Sequence, residues 1–374
     1  MEDSENIIEV IEEEKNEEFS NDDLFNITSW GADPSVRELI MQYEDGDIEK
    51  PELQRKYVWT KKTASRFVES LLLGLPVPSI FLANNEVTGK RLIVDGYQRL
   101  RTLVDFISEG VWHGDDTVFR LVNSDIINVR WRGKTFKELS DVDKRRLKNY
   151  TIHAIIFEQK QPLNDSGMFQ IFERINTGGM TLNDQEVRNC VYQGALNTLL
   201  FELNKNEAWR KLYGLEKEDT RMKDLELILR FFALNKEDVY RSEQNSFTLK
   251  QLLNEEMAQN VKDSNHVHEL REDFKKVIEF IYENFGEEAF FNLQNDLQKM
   301  RKRLYPTVYD SLMIATSIAL RNGYTVGQED LREKRLQLLK DEEYRESITQ
   351  GTMQTGHINT RISKALSIVY GMEL

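Results

Sequence analysis

The sequence predicts an α+β protein: a small mixed-sheet domain followed by a mainly α-helical domain. Three observations carry this. Short apolar, β-branched runs at 79–82, 91–94 and 151–157 stand between stretches of helical periodicity. The order strand, turn, strand, helix across 79–107 suits segregated strands and helices better than a doubly wound sheet. From Ala195 onward apolar residues recur every three or four positions, and Pro306 is the only proline. The expected division is an acidic tail over 1–25, a mixed-sheet domain over 26–200 and a helical domain over 201–374, with the change falling near 195–215.

Composition narrows the function classes. The chain has 374 residues, a net charge of −14 and a single cysteine, Cys190. One cysteine forms no internal disulfide and no zinc cluster. No apolar run approaches the ~20 residues a membrane span needs, and the first residues lack the basic and apolar regions of a signal peptide. A reducing cytoplasm fits best, with no membrane partner. The charge is uneven. Residues 1–23 hold eleven acids and one lysine, a local charge of −10, which leaves the body near −4. Ile7, Ile8, Val10 and Ile11 are the only apolar cluster there, so this tail reads as disordered or a frayed helix. It serves as a solubilising tail, a partner-binding segment or a nucleic-acid mimic. The acidic total argues against broad, non-specific DNA coating.

In chain order, 25–34 reads as a connector and 35–43 as a short helix. Pro51 keeps 47–59 out of helix, and Leu53, Tyr57, Val58 and Trp59 favour extended structure. Gln54 and Arg55 lie inside that segment, as phosphate or base donors or as an internal hydrogen-bonded pair. An amphipathic helix follows at 61–73, with Ala64, Phe67, Val68, Leu71 and Leu72 on one face, ended by Gly74 and blocked by Pro76 and Pro78. Strands at 79–82 and 91–94 flank a turn at 84–90.

The second strand runs into Asp95-Gly96 and a helix beginning at Tyr97. Gly96 permits the sharp turn. A helix start has unpaired N–H groups and partial positive charge. Gln98, Arg99 and Arg101 add donors, so the corner is a plausible seat for a phosphate. Asp95 would hold a magnesium ion or accept a proton. The competing reading is that Asp95 caps the helix and the arginines are solvated.

Further on, 117–122 and 128–131 look like a β-pair, and 132–134 turns into a helix over 136–149. The strand at 151–157, carrying His153, is expected to be central. Asp165 caps a helix with Met168, Ile171, Phe172 and Ile175 as its apolar positions. That helix ends at Asn176-Thr177-Gly178-Gly179, either a plain C-cap or a ligand-approaching loop with Arg174 and Asn176 as donors. Asn183 and Glu186 are spaced as a capping box. Helices are expected at 224–234, 247–257, 266–283, 308–320, 328–339 and 358–369, and the basic run 299–303 is read as a solvated helix end or a nucleic-acid contact.

Taken together, these residues resemble the bacterial "DGQQR" family, grouped with the ParB/sulfiredoxin-like superfamily and found as the N-terminal half of GmrSD-type and SspE-type phage-defence proteins. Pro51, Gln54, Arg55, Tyr57 and Trp59 are similar to its first box. Leu71, Gly74, Pro76 and Pro78 are similar to its second. Asp95-Gly96-Tyr97-Gln98-Arg99 is similar to its signature. Phe172, Arg174, Asn176-Thr177-Gly178-Gly179, Gln185-Glu186 and Arg188-Asn189 are similar to its fourth box, and Arg221, Asp224 and Arg230 also look familial. The resemblance covers roughly 35–370. Tyr97 stands where the family has glutamine, which puts hydrolysis in question more than binding; a tyrosine can stack on a base or pack. Gly96, Arg99, Arg101 and Thr102 also resemble the ParB phosphate-binding box, which supports both arginines as phosphate ligands.

The resemblance implies a nucleotide-binding, in one version NTP-hydrolysing, module of a bacterial or phage-related defence or regulatory system. Asp95 and Gln98 would be catalytic. Gln54, Arg55, Gly96, Arg99, Arg101, Arg174, Asn176 and Thr177 would bind nucleotide, Tyr97 would stack on the base, and Mg2+ would sit on Asp95. The relatives' HNH nuclease is not expected, because none of the five histidines stands in an HNH-like context. Alternatives are a DNA-binding or DNA-nicking protein using the same groove, or a non-catalytic protein that recruits an effector or a separate nuclease.

Overall fold

The computed structural model describes residues 7–9, 11, 27–49, 57, 59–84, 89–112, 117–159, 166–175, 183–192, 194–259, 264–294, 297–327 and 330–374. The chain separates into two compact units. One contains the described residues of 21–182 and 189–191, the other those of 1–20, 183–188 and 192–374.

The first unit is built on a five-stranded mixed sheet. Its elements are β1 (Ile27–Ala32), α1 (Val36–Glu44), β2 (Ile48–Glu49), α2 (Lys61–Leu73), β3 (Ile80–Asn84), β4 (Arg91–Asp95), α3 (Tyr97–Val104), α4 (Asp141–Asn149), β5 (Ala154–Gln159) and α5 (Ser166–Ile175). The strand order is β1-β5-β3-β4-β2. β5 lies antiparallel to β1 and parallel to β3, and β4 lies antiparallel to β3 and parallel to β2. Ile80 and Leu82 of β3, Ile93 of β4, and Ala154 and Ile156 of β5 join one core with Leu39 of α1, Val68 and Leu71 of α2, Leu100 and Leu103 of α3, and Leu147 of α4. Strand side chains alternate, so this is one face of the sheet, covered by the four helices. Local chemistry sets the helix ends. Ser35 and Glu38 form a capping box on α1, Thr60 caps α2, and Gly74 closes α2 at φ +74°.

Several expectations change here. The connector 25–34 contains β1, an edge strand whose middle four residues are exposed. Thr117–Val122 does not pair with 128–131. Leu121 instead exchanges backbone hydrogen bonds with Gly133 and Lys134, and 128–133 is a series of turns. The helix read over 136–149 is broken: Phe136–Glu138 is a single 3-10 turn, and Ser140 caps a separate α4. His153 precedes β5 rather than lying on it. It pairs with Asp33 at 2.8 Å and lies over Gly31, where an added Cβ would meet its ring at 2.9 Å.

The second unit is mainly helical: most of α6 (Asp184–Val191), then α7 (Ala195–Leu203), α8 (Glu207–Tyr213), α9 (Lys223–Leu234), α10 (Glu237–Tyr240), α11 (Leu249–Gln259), α12 (Ser264–Phe285), α13 (Pro306–Arg321), α14 (Leu331–Lys340), α15 (Glu342–Thr349) and α16 (Thr355–Tyr370). Asn183 and Glu186 form the expected capping box on α6. Helix α13 is buried from Pro306 to Ala319. Most of its polar residues have partners on other elements: Thr307 donates to the Ile348 carbonyl, Ser311 meets the Tyr344 hydroxyl at 2.7 Å, and Asp310 takes a bidentate pair from Arg230 at 2.7 Å, while the buried Tyr309 hydroxyl has no hydrogen-bond partner among the described residues. Such partners offset the cost of burying polar groups.

The unit is not helical throughout. β6 (Phe291–Leu293) and β7 (Met300–Leu304) form an antiparallel pair, and the basic run 299–303, read as a helix end, lies largely on β7. Ile7–Glu9, expected to be disordered or helical, lies extended beside β7: Leu304 N–H donates to Ile7 O and Glu9 N–H to Leu304 O, both at 2.8 Å.

Candidate functional site

The strand β4 delivers Asp95 to a corner, and a register shift sets its direction. Leu82 lies opposite Ile93, but the next residue of β3, Phe81, lies opposite Asp95, so Val94 is the extra residue of a bulge. Cross-strand partners share a face, which places Asp95 on the side of Phe81, away from the Leu82–Ile93 core face. Its carboxylate is 47% exposed.

Gly96 then takes φ +105° and starts α3 without a side-chain cap. A Cβ at this position would lie 2.5 Å from Ile80 Cγ2, so close packing and backbone conformation both demand glycine. Gly96 has no side chain to cap the helix, whose start carries partial positive charge that suits an anion.

Arg99 reaches back along the helix. Its Nη2 lies 2.5 Å from Asp95 Oδ2 and donates to the Ser79 carbonyl at 3.0 Å. The side chain is only 12% exposed, and its buried Nε has no hydrogen-bond partner among the described residues. Asp95, Gly96 and Arg99 are therefore together.

Arg101 lies apart from them, because residues two apart on a helix face different ways. It pairs with Asp105 and with Glu109, each at 2.7 Å. Beyond α3 the backbone widens into a π-turn over Asp105–Glu109, which brings Glu109 to the same guanidinium. Burial works against the Arg101 charge, but Asp105 and Glu109 outweigh it and hold its pKa above the ordinary arginine value.

Other candidates have structural partners. Gln98 Oε1 accepts the Trp59 N–H at 3.2 Å. Tyr97 is buried in the core, where burial, then Tyr43, pushes its hydroxyl pKa upward. Thr102 donates to the Gln98 carbonyl and meets the Tyr57 hydroxyl, both at 2.7 Å. Arg174 is exposed in the last turn of α5. Gln54, Arg55, Asn176 and Thr177 lie outside the described residues. Of the fourth box, Arg188 is buried in the helical unit against Asn254, Gln185 and Glu226.

Sequence reasoning missed Asp105 and Glu109, and it named Tyr57 and Thr102 only as box residues, not as partners of each other. The Arg101–Asp105 spacing was a readable i,i+4 signal; the Tyr57–Thr102 contact, made across 45 residues, was not. Among the described residues, no group of three or more histidine, cysteine or carboxylate side chains could hold a metal. No helix among them is long and apolar enough to cross a membrane. His266 lies 3.8 Å from Glu269, and His357 lies against the Gln350 carbonyl.

No curated protein and no solved structure matches the chain. Residues 36–193 match the family described as GmrSD restriction endonuclease, N-terminal domain. That span starts at α1 and takes in β2 to β5, the Asp95–Arg99 corner and the fourth box. Over residues 36–193, less than half of its length, the chain is thus similar to the GmrSD N-terminal domain family.

Proposed function

We propose that this chain is a nucleotide-binding module of a restriction-type defence system, with the corner at Asp95–Arg99 as its phosphate seat. The observation that carries the reading is the Gly96 corner: a helix start with glycine as its N-cap, beside a half-exposed carboxylate held by an arginine. A phosphate entering here meets first-turn N–H donors and competes with Asp95 for Arg99. Arginine binds phosphate and carboxylate by the same paired donors, so one anion can replace the other. The displaced Asp95 carboxylate then faces the phosphate with a free lone pair. Magnesium fits this donor set as an ion bound by one carboxylate, phosphate oxygens and water. When bound, it would neutralise phosphate charge. Arg101 already carries two carboxylates, so Arg99 is the arginine that exchanges partners, while Arg101 holds the π-turn behind it.

The test is thermal unfolding with ATP, GTP, CTP or UTP, with and without magnesium, for wild type, Arg99→Ala and Arg99→Lys. A ligand that binds only the folded state raises its midpoint. One nucleotide should raise the wild-type midpoint, and Arg99→Ala should weaken binding at least ~10-fold, a loss of ~1.4 kcal/mol. Equal affinity in the variant, or no shift with any nucleotide, overturns the assignment. The family's description as a restriction endonuclease favours a second reading, DNA at the same groove. That reading requires affinity that falls steeply with salt. In either case a nuclease or effector protein is the expected partner.

A further inference from the structure

The clearest unassigned feature is the edge of β7. The chain is acidic overall, yet residues 299–303 place four cations in five positions. Arg301 and Arg303, two apart on a strand, project to the same face, and both are partly exposed. The edge is occupied by Ile7–Glu9. The pairing is parallel, through Ile8 and Leu304, with the two backbone hydrogen bonds already described. Ile8 is 8% exposed, as buried as a core residue. The Glu9 carboxylate lies between the two arginines, 3.0 Å from Arg301 Nη1 and 3.6 Å from Arg303 Nη1. Ile7 lies against Gly214.

Three recognition elements thus converge: main-chain groups on a strand edge, a buried place for one β-branched side chain, and two guanidinium groups for the acid that follows it. This is how a sheet edge binds an extended peptide, with backbone pairing for affinity and alternate side chains for selectivity. The present occupant pairs through a single bridge at Ile8 and two backbone hydrogen bonds, and an acidic stretch follows it in the sequence. Short edge pairings of this kind open readily.

We infer that β7 is a peptide-docking edge, that Ile7–Glu9 is its intramolecular occupant, and that its partner is an extended acidic peptide with an isoleucine- or valine-like residue followed by an acid. The main-chain pairing favours a peptide over a nucleic acid, which has no backbone N–H and C=O to continue the sheet. While Ile7–Glu9 is docked, apparent affinity for a partner falls by the fraction of time the edge is open.

The test uses the full chain and a fluorescent peptide copying residues 5–13. Glu9→Arg sets a like charge against Arg301 and Arg303 and should release the segment. Peptide binding, read by anisotropy, should then tighten about ten-fold over wild type. Adding Arg301→Glu and Arg303→Glu should abolish it, and a scrambled peptide of equal charge should not bind. Amide exchange of Leu304 gives a second readout: faster in Glu9→Arg, slowed again by the peptide. If the double arginine change unfolds the chain, Arg303→Ala alone should still weaken the peptide. Equal peptide affinity in wild type and Glu9→Arg, or unchanged Leu304 exchange, overturns the proposal. Equal binding of the scrambled peptide, or tighter binding of a labelled 20-nucleotide oligomer, also overturns it by assigning the edge to charge alone.

Discussion

At Gly96 the backbone stands at φ +105° and Ile80 leaves no room for a Cβ. Alanine there would carry the strain of a left-handed conformation and push on a core side chain. We expect Gly96→Ala to cost about 1–3 kcal/mol, read as a lower urea midpoint with unchanged slope. An unaltered midpoint would remove the steric basis of the corner. The glycine was legible in the sequence, since a strand meeting a helix without a loop needs a residue of this kind. The fate of the arginines was not. Arg99 and Arg101 look equivalent in the sequence, yet one holds a half-exposed carboxylate and the other a fully buried one, Asp105. That difference arises from Ser79 lying beside Arg99 and from the π-turn beyond α3, which no spacing rule foretells.

At the scale of elements, legibility followed locality. Helix α6 begins where Asn183 and Glu186 said it would, because a capping box is closed by residues three apart. Asn183 also donates to the Arg221 carbonyl, so Asn183→Ala should cost about 0.5–2 kcal/mol. Chemical denaturation of that variant checks it, with Asn183→Asp expected to retain much of the cap. Strands were harder. β1 contains Trp-Gly-Ala next to a proline and reads as a connector; it is a strand because β5 offers it an edge. β7 reads Met-Arg-Lys-Arg-Leu, with no β-branched residue, and its extended form comes from β6 and from Ile7–Glu9. β-structure is stabilised by neighbours, and neighbours distant in sequence are invisible to a local window.

At the scale of the molecule, alkaline pH should test both units together. Burial pushes the hydroxyl pKa of Tyr57, in the sheet unit, and of Tyr344, in the helical unit, up to about 12. A pKa raised on folding stabilises fully below the unfolded value near 10 and is lost as pH rises toward the folded value. Unfolding free energy should therefore be flat up to about pH 10 and fall between about pH 10 and 12. The Tyr344 share is on the order of 1–3 kcal/mol. Urea midpoints from pH 8 to 12 measure this, and Tyr344→Phe should flatten its part of the decline. A profile level to pH 12 contradicts the burial argument. The fold class as a whole was readable from periodicity, because helix faces and buried strands impose different periods whatever they pack against.

The bulge at Val94 makes the count of residues in β4 as consequential as their identity. Were Val94 paired regularly, Asp95 would fall two residues after Ile93 and turn inward to the side of Leu82 and Ile93; the bulge takes Val94 out of the count and keeps Asp95 opposite Phe81. Substitutions along β4 test packing, but a one-residue insertion tests parity. Inserting an alanine between Val94 and Asp95 should abolish anion binding at the corner and destabilise the sheet unit by more than Val94→Ala, because it would turn a charge toward buried aliphatic side chains. A comparison of the two variants by denaturation and nucleotide titration distinguishes them. Equal effects would mean that the parity of the strand does not aim Asp95. If the insertion is the worse of the two, this corner evolves freely by exchange of residues but hardly at all by change of length.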